Sequence, residues 1–389
     1  MPGCWDRTEL NEIGIASATA VDWQDDHWIV SYQLVIPQSI SNQNAGGGSV
    51  QQAPVMVFST NGTSIQEADQ KSSLEMPRSL FFAHNRIIVI GEEAARHGIS
   101  EVVESYLRNA DSRETVSVFV TKQRGRSILE QIVPLEKIPG AALKNMQKNQ
   151  DKQGSDLKQV MMYQLAMGIT SDSGYTTIPE VILSGSGEAP TSVEILKNTY
   201  VESKLKMNRL GVFKKDKLIG WLSSHESYGI NWITNRIKHT IMYFGCTRGS
   251  NNFKAAARIY KAKTHLNLVQ QNGLWVAKVD VQADAQLIEN NCGIDASKPE
   301  GLAQMEALMS FELSDLMQNS LDAAKGLNAD VLGFGEYIHK KDPKTWGQLK
   351  DNWQEAFMQI KLEPSVHIHL KRLGMSNKPF ADLISPSHD

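Results

Sequence analysis

The rhythm of apolar and polar positions changes twice along this chain, and each change marks a different kind of element. From Ile13 to Asp22 apolar and small residues run together, as in a buried strand, and Trp28, Val30, Tyr32, Leu34 and Ile36 then alternate with polar positions. The two runs read as a strand pair turning at Trp23 to His27. Val55 to Ser59 reads as a short strand, Asn61-Gly62 as a turn, and Ser64 as the start of a helix to about Leu74. Arg86 to Gly91 is a buried strand followed at Glu92 by a helix ending near Gly98. A helix from Glu101 to Asn109, a strand from Thr115 to Thr121 and a helix from Ser127 to Ile132 complete an alternation that predicts a mixed α/β domain over 5–134.

Pro134 and Pro139 bracket a break, and Lys144 to Lys158 is charged and Gln-rich, so a solvated segment is expected there. Met161 to Ile169 then reads as a helix and Val181 to Leu183 as a strand. Val201 to Phe213 and Lys217 to Leu222 form a strand pair turning at Lys214-Lys215-Asp216, and His225 to Ile237 is helix-like. These elements are assigned to a middle α/β domain over 135–235.

The last third, 236–389, alternates cleanly. Trp275, Ala277, Val279, Val281, Ala283 and Leu287 interleave with Lys278, Asp280, Gln282, Asp284 and Gln286, which is half-buried antiparallel sheet. Its partner is Phe253 to Val269, joined through Gln271-Asn272-Gly273. Ser297-Lys298-Pro299-Glu300 has the form of a capping box with serine as the cap. Leu302, Met305, Met309, Leu313 and Leu316 follow at spacings of three and four, which predicts a long amphipathic helix ending near Asn328. After a short helix, Ile360, Leu362, Val366, Ile368 and Leu370 make a closing strand. The fold class expected is therefore α+β, in three domains, each a β-sheet with surrounding helices.

A chain of 389 residues exceeds what one core supports, in keeping with several domains. Its net charge of -3 gives no general attraction to nucleic acid or to an anionic membrane surface. No apolar run reaches the ~18 residues needed to cross a bilayer; Val160 to Ile169 comes closest and carries Gln164. Cys246 and Cys292 lack metal-ligand spacing. They are read as two structural thiols, with a disulfide left open because spacing cannot decide it.

The chain carries no Gly-x-Ser-x-Gly, His-Glu-x-x-His, Cys-x-x-Cys or Walker-type loop. Gly46-Gly47-Gly48 is followed by neither Lys-Ser/Thr nor a helix start, and reads as a flexible loop. Gly185-Ser186-Gly187 after a strand lacks the third glycine of a dinucleotide loop, and Pro190 interrupts, so a turn is expected. His367 and His369 fall on one polar strand face with His339 nearby in sequence; without a third ligand at metal spacing they read as solvated histidines. Ser155-Asp156-Leu157-Lys158 lies in too polar a segment for a buried nucleophile, and Glu92-Glu93 suit a helix N-terminus. Arg78, Phe81, Phe82 and His84 are read either as an aromatic and basic docking patch or as core phenylalanines with charges at the rim. No cofactor, catalytic residue or metal site is expected.

The remaining chemistry sits at the start, in Gly3-Cys4-Trp5-Asp6-Arg7. A cysteine directly after a small residue, before the first folded segment, is where a bacterial lipoprotein is cleaved and acylated; the bare dipeptide is equally an incidental thiol. No charged segment and apolar stretch precede it, so any signal sequence is expected to have been removed.

Taken in order, Gly3-Cys4-Trp5-Asp6-Arg7 with Glu9-Leu10-Asn11, then Arg78-Ser79-Leu80-Phe81-Phe82-Ala83-His84, Ile88-Val89-Ile90-Gly91-Glu92-Glu93, Leu107-Arg108 and Arg113, form a recognisable series. It continues with Phe213, Lys217-Leu218-Ile219-Gly220-Trp221-Leu222 and Glu226-Ser227-Tyr228-Gly229-Ile230-Asn231-Trp232. Asp330-Val331-Leu332-Gly333-Phe334-Gly335, Trp346, Asn352-Trp353 and the strand through Gly374 close it. Over nearly its whole length the chain resembles the Ger(x)C family, the lipoprotein C subunits of spore nutrient germinant receptors. The loop at 46–48 and the turn Lys122-Gln123-Arg124-Gly125 depart from the family pattern, and neither is expected to carry shared function.

The resemblance implies three mixed α/β domains on the outer face of the spore inner membrane, a lipid anchor on Cys4, and assembly with integral membrane A and B subunits. It also implies a non-enzymatic role in nutrient-triggered germination. The alternative is a solute-binding lipoprotein that captures the germinant itself in an interdomain cleft, and a cell-wall hydrolase is a third reading.

Overall fold

The computed structural model describes residues 12–37, 39, 53–109, 111–153, 157–185, 191–192, 199–200, 203–250 and 252–371. By its contacts the chain divides into two compact units, 1–148 with 159–221, and 149–158 with 222–389.

The first unit is built on one mixed sheet in the order β3-β2-β1-β5-β6-β7-β8-β9, with β4 paired to the start of β1. In chain order its elements are β1 (Ile13–Gln24), β2 (His27–Val35), β3 (Val55–Gly62), α1 (Ile65–Glu75), β4 (Ser79–Phe81), β5 (Ile87–Gly91), α2 (Glu92–His97) and α3 (Ser100–Arg108). There follow β6 (Ser117–Thr121), α4 (Gly125–Leu129), α5 (Pro139–Gln153), α6 (Met162–Thr170), β7 (Tyr175–Gly185), β8 (Ser203–Lys214) and β9 (Lys217–Leu222). β1, β5 and β6 run parallel at the centre, and every residue of β5 and β6 is buried. A parallel strand covered on both faces has no wet side, which is why these segments read as continuous apolar runs. The strand pair expected in a middle domain is β8 and β9, and it continues this sheet: β7 meets β6 at Val120↔Glu180 and pairs antiparallel with β8.

The segment expected to be solvated at Lys144 to Lys158 is instead largely helix. α5 runs to Gln153 and buries Leu143 and Gln147, so its polar composition belongs to one face only. The turn at Lys122 to Gly125 also has a job that sequence did not reveal. Asp22, buried on β1, accepts hydrogen bonds from Gly125 N (2.7 Å) and Arg126 N (3.2 Å) and so caps α4. Burial pushes the Asp22 carboxyl up, and the two N–H donors partly offset that. Gly91 makes the approach sterically feasible, since a Cβ there would lie 2.1 Å from Asp22 Oδ1.

The second unit comprises α7 (Ser224–Ile233), β10 (Thr240–Gly245), β11 (Phe253–Gln271), β12 (Leu274–Asn290), α8 (Pro299–Gly326), α9 (Phe334–Lys341), α10 (Pro343–Leu349), a 3-10 turn (Lys350–Asn352), α11 (Trp353–Gln359) and β13 (Lys361–Lys371). Its sheet has the order β10-β11-β12-β13, antiparallel except for the closing β12–β13 pair. The hairpin turns where expected, with Asn272 (φ 50) and Gly273 (φ 82) both left-handed. α8 packs on β13, β10 and α7, burying Met305, Met309, Leu313 and Leu316 as the spacing predicts. Its cap is Lys298 rather than Ser297, because the Ser297 hydroxyl donates instead to Asp295 Oδ1 (2.5 Å).

The two structural thiols expected at Cys246 and Cys292 are in fact a disulfide, with Cα atoms 5.2 Å apart. β10 and β12 flank β11, and the registers Gly245↔Phe253 and Ala255↔Asn290 bring the ends of both strands to the start of β11. The separation of 46 positions between the cysteines carries no trace of that registry.

Asp330 is the second unit's counterpart to Asp22. Its carboxylate, fully buried, accepts from Phe334 N (2.9 Å), Gly335 N (2.7 Å) and Trp353 Nε1 (3.2 Å), which caps α9 and ties it to α11. Burial raises its pKa against those donors.

Candidate functional site

In the first unit, α1 and α3 lie over β1 and β2. Ile65 and Ala68 of α1 and Val102 and Val103 of α3 are buried in one cluster with Val21, Val30 and Tyr32. Beside these buried contacts the two helices leave a cleft of about 630 Å³, lined by Ser64, Gln66, Asp69, Glu101, Glu104 and Arg108 among others. On α3, Glu101, Glu104, Ser105 and Arg108 recur at spacings of three and four, so one helix face supplies that wall. At its inner side, past Ile65, Asp69, Ser105 and Asn109, the wall is shared with a small cavity of about 30 Å³ whose apolar lining includes Val21, Val30, Phe82 and Val102.

Polar groups are fixed around that inner cavity. Tyr32 Oη donates to Asp69 Oδ1 (2.5 Å), and Asn85 Nδ2 donates to Tyr106 Oη (2.6 Å) and Thr19 Oγ1 (3.1 Å). The Thr19 and Tyr106 hydroxyls are hydrogen-bonded to each other. Tyr32 is stacked on Phe58, with centroids 5.0 Å apart, and lies 6.0 Å from Phe82. Burial raises the Asp69 carboxyl above its ordinary range, more than the Tyr32 hydrogen bond lowers it. The same burial, with Asp69 nearby, keeps both tyrosines protonated to well above their usual range.

Outside the cavity the charges differ in their partners. Glu104 Oε1 accepts from Arg108 Nε at 2.7 Å, a cation within its own helix. Glu101 Oε2 accepts from the buried Trp28 Nε1 at 3.0 Å, a neutral donor. Among the described residues, Asp69 and Glu101 each meet an aromatic N–H or O–H donor and no cation.

Of the residues singled out in the sequence, Phe82 packs on the core and lines the inner cavity. Phe81 and His84 meet edge to face at 5.7 Å, while Arg78 is exposed. The core-and-rim alternative thus describes Phe82, and the neighbouring Asn85, not singled out, supplies the polar network. Asp69, Glu101 and Tyr106 carried no local motif; only the 3.6-residue periodicity of α1 and α3 could have aligned them.

Glu92 opens α2 and pairs with Arg96 at 2.7 Å. Gly185 ends β7, and Ser186-Gly187 fall outside the described residues, as do Gly46-Gly47-Gly48 and Ser155-Asp156. Lys158 is described, and burial and the nearby Arg236 hold its ammonium below the usual range. His367 and His369 share the exposed face of β13, with His367 Nε2 3.1 Å from Ser365 Oγ and His369 Nδ1 3.3 Å from Glu306 Oε1. His339 stacks on Trp346 from α9, at 6.1 Å. Among the described residues no three ligand atoms within 4.8 Å of one another include His367 or His369. Cys4, the expected lipid attachment residue, lies outside the described residues.

Comparison with known proteins supplies what the cleft alone does not. Residues 6–183 match the family model described as "Spore germination protein N-terminal domain", and residues 208–374 match "Spore germination B3/ GerAC like, C-terminal". The chain belongs to the Ger(x)C family of spore germination proteins. Spore germination protein KC of Bacillus subtilis (strain 168) is 26% identical over 384 residues, covering 97% of this chain and 94% of that one. Spore germination protein B3 of the same organism is 21% identical and covers 97% of this chain and 95% of its own. The crystal structure of the GerBC protein superposes with a TM-score of 0.53 over 90% of this chain and 96% of that one; at 18% identity the likeness is one of fold. Membership of the Ger(x)C family gives this chain a role in spore germination.

Proposed function

We propose that this chain is a non-enzymatic lipoprotein subunit of a spore nutrient germinant receptor. It is anchored through lipid on Cys4 to the outer face of the spore inner membrane and assembled with the integral membrane A and B subunits. The observation that carries this reading is the match of two consecutive spore-germination family models to 6–183 and 208–374. The disulfide Cys246–Cys292 supports the outer face, because such bonds persist in oxidising compartments and are rare in a reducing cytosol. No described helix is long and apolar enough to cross a membrane. Acyl chains on Cys4 then supply the membrane affinity, at ~0.8 kcal/mol per buried methylene, with two or more chains needed for stable anchoring.

The test is dipicolinate release from spores lacking this chain, triggered by nutrient and, separately, by an agent that bypasses nutrient receptors. Loss of the nutrient response alone, restored by the wild-type chain and poorly by Cys4→Ala, is the expected result. An unchanged nutrient response in spores stripped of redundant receptors sinks the reading. The feature that speaks for the solute-capturing alternative is the cleft between α1 and α3, which lies within the first unit and not between domains.

A further inference from the structure

We propose that the cleft between α1 and α3 binds a small organic ammonium compound, with Asp69 and Glu101 holding its charged nitrogen and the apolar inner cavity taking a short hydrocarbon group. The proposal goes beyond receptor membership, since it concerns what the isolated chain binds.

Three observations select this class of ligand. The first is the sign of the charge. Asp69, Glu101, Glu104 and Arg108 line the cleft, and the Glu104–Arg108 pair cancels internally. That leaves two carboxylates whose hydrogen-bond partners, Tyr32 Oη and Trp28 Nε1, are neutral. Asp69 is half-buried, where a carboxylate without a cation is costly and a cation entering from solvent relieves it; Glu101, on the exposed helix face beside it, adds negative charge without that cost. An anionic ligand would add to the repulsion.

The second is the chemistry of the inner wall. A hydrated metal ion wants six or more oxygen ligands and gains nothing from hydrocarbon. Here the inner cavity presents Val21, Val30, Ile65, Phe82 and Val102, with Tyr32 and Tyr106 also in its lining. Aromatic surface near a cation adds attraction of its own. A cation that carries carbon fits both halves of the site.

The third is size. The inner cavity of about 30 Å³ admits a group no larger than about two waters, so the buried substituent is of methyl or ethyl size. The outer cleft of about 630 Å³ leaves room for a larger polar remainder.

The experiment is isothermal titration calorimetry of the full chain with ethylammonium chloride, against potassium chloride at equal ionic strength and against calcium chloride. The variants are Asp69→Asn, Glu101→Gln and, as a control away from the cleft, Glu92→Gln. Glu101→Gln keeps an oxygen for Trp28 Nε1 on an exposed helix face, so it tests the charge even where Asp69→Asn impairs folding. Saturable ethylammonium binding, weakened about tenfold or more by Asp69→Asn and by Glu101→Gln and unchanged by Glu92→Gln, is the expected result, about 1.4 kcal/mol per factor of ten. Equal affinity for potassium or calcium overturns the ammonium assignment. Absence of saturable heat, or affinity indifferent to Glu101→Gln, overturns the site.

Discussion

The two units meet the same problem, burying a sheet, in opposite ways. In the first, the central strands β5 and β6 are buried throughout, and the covering helices leave a cleft where their packing is incomplete. In the second, β12 and β13 keep one charged face exposed, from Lys278 and Gln282 to Glu363, His367 and His369, while α8 covers the other. Concavity comes from helices meeting over a sheet, and an open sheet face offers little of it. The second unit also carries a covalent tie, Cys246–Cys292.

Each unit spends one buried aspartate on the N-terminus of a short helix, and the comparison breaks most sharply there. Asp330→Ala is expected to destabilise the second unit by about 3–5 kcal/mol, because two backbone N–H groups and the Trp353 indole lose their acceptor in the interior. Calorimetric unfolding should show that loss; a melting profile like the wild type's would mean that the loop repacks around water. Cleaving the disulfide is next in size. Cys246→Ser with Cys292→Ser is expected to lose about 2–4 kcal/mol for a loop of this length, read from urea unfolding. If the tie belongs to the second unit alone, probes in the first unit should keep their transition.

Asp69→Asn has the smallest effect and the opposite sign. Because the folded state holds the Asp69 proton more tightly than the unfolded chain does, its contribution favours acid. That contribution is complete below the ordinary carboxylate pKa and is lost as pH rises through the raised value. Asparagine keeps an oxygen for Tyr32 and removes the charge, so at neutral pH the variant is expected to be slightly more stable than the wild type. It should also show a flatter pH dependence of its unfolding midpoint between the acid carboxylate range and neutrality. A less stable variant with undiminished pH dependence would show that Asp69 serves the fold and not a ligand. A carboxylate retained where an amide is more stable is what a binding site requires.

Most of the elements were legible because their causes are local. Period two in β12, the three-and-four spacing of α8, the apolar run of β5 and the Asn272-Gly273 turn each answer to a few neighbouring residues. α5 was misread because its buried stripe, Leu143 and Gln147, is thin and partly polar. The family, too, was written in the order of motifs from Arg78 to Trp353, and with it the role in germination. Tertiary structure alone decided the cysteine pairing, the helix caps supplied by Asp22 and Asp330, and the cleft. Asp22 reaches Gly125 across 103 residues, Cys246 meets Cys292 across 46, and Trp28 donates to Glu101 across 73. Partners so far apart are chosen by strand order and register, which depend on the whole sheet, so no window of the sequence contains them.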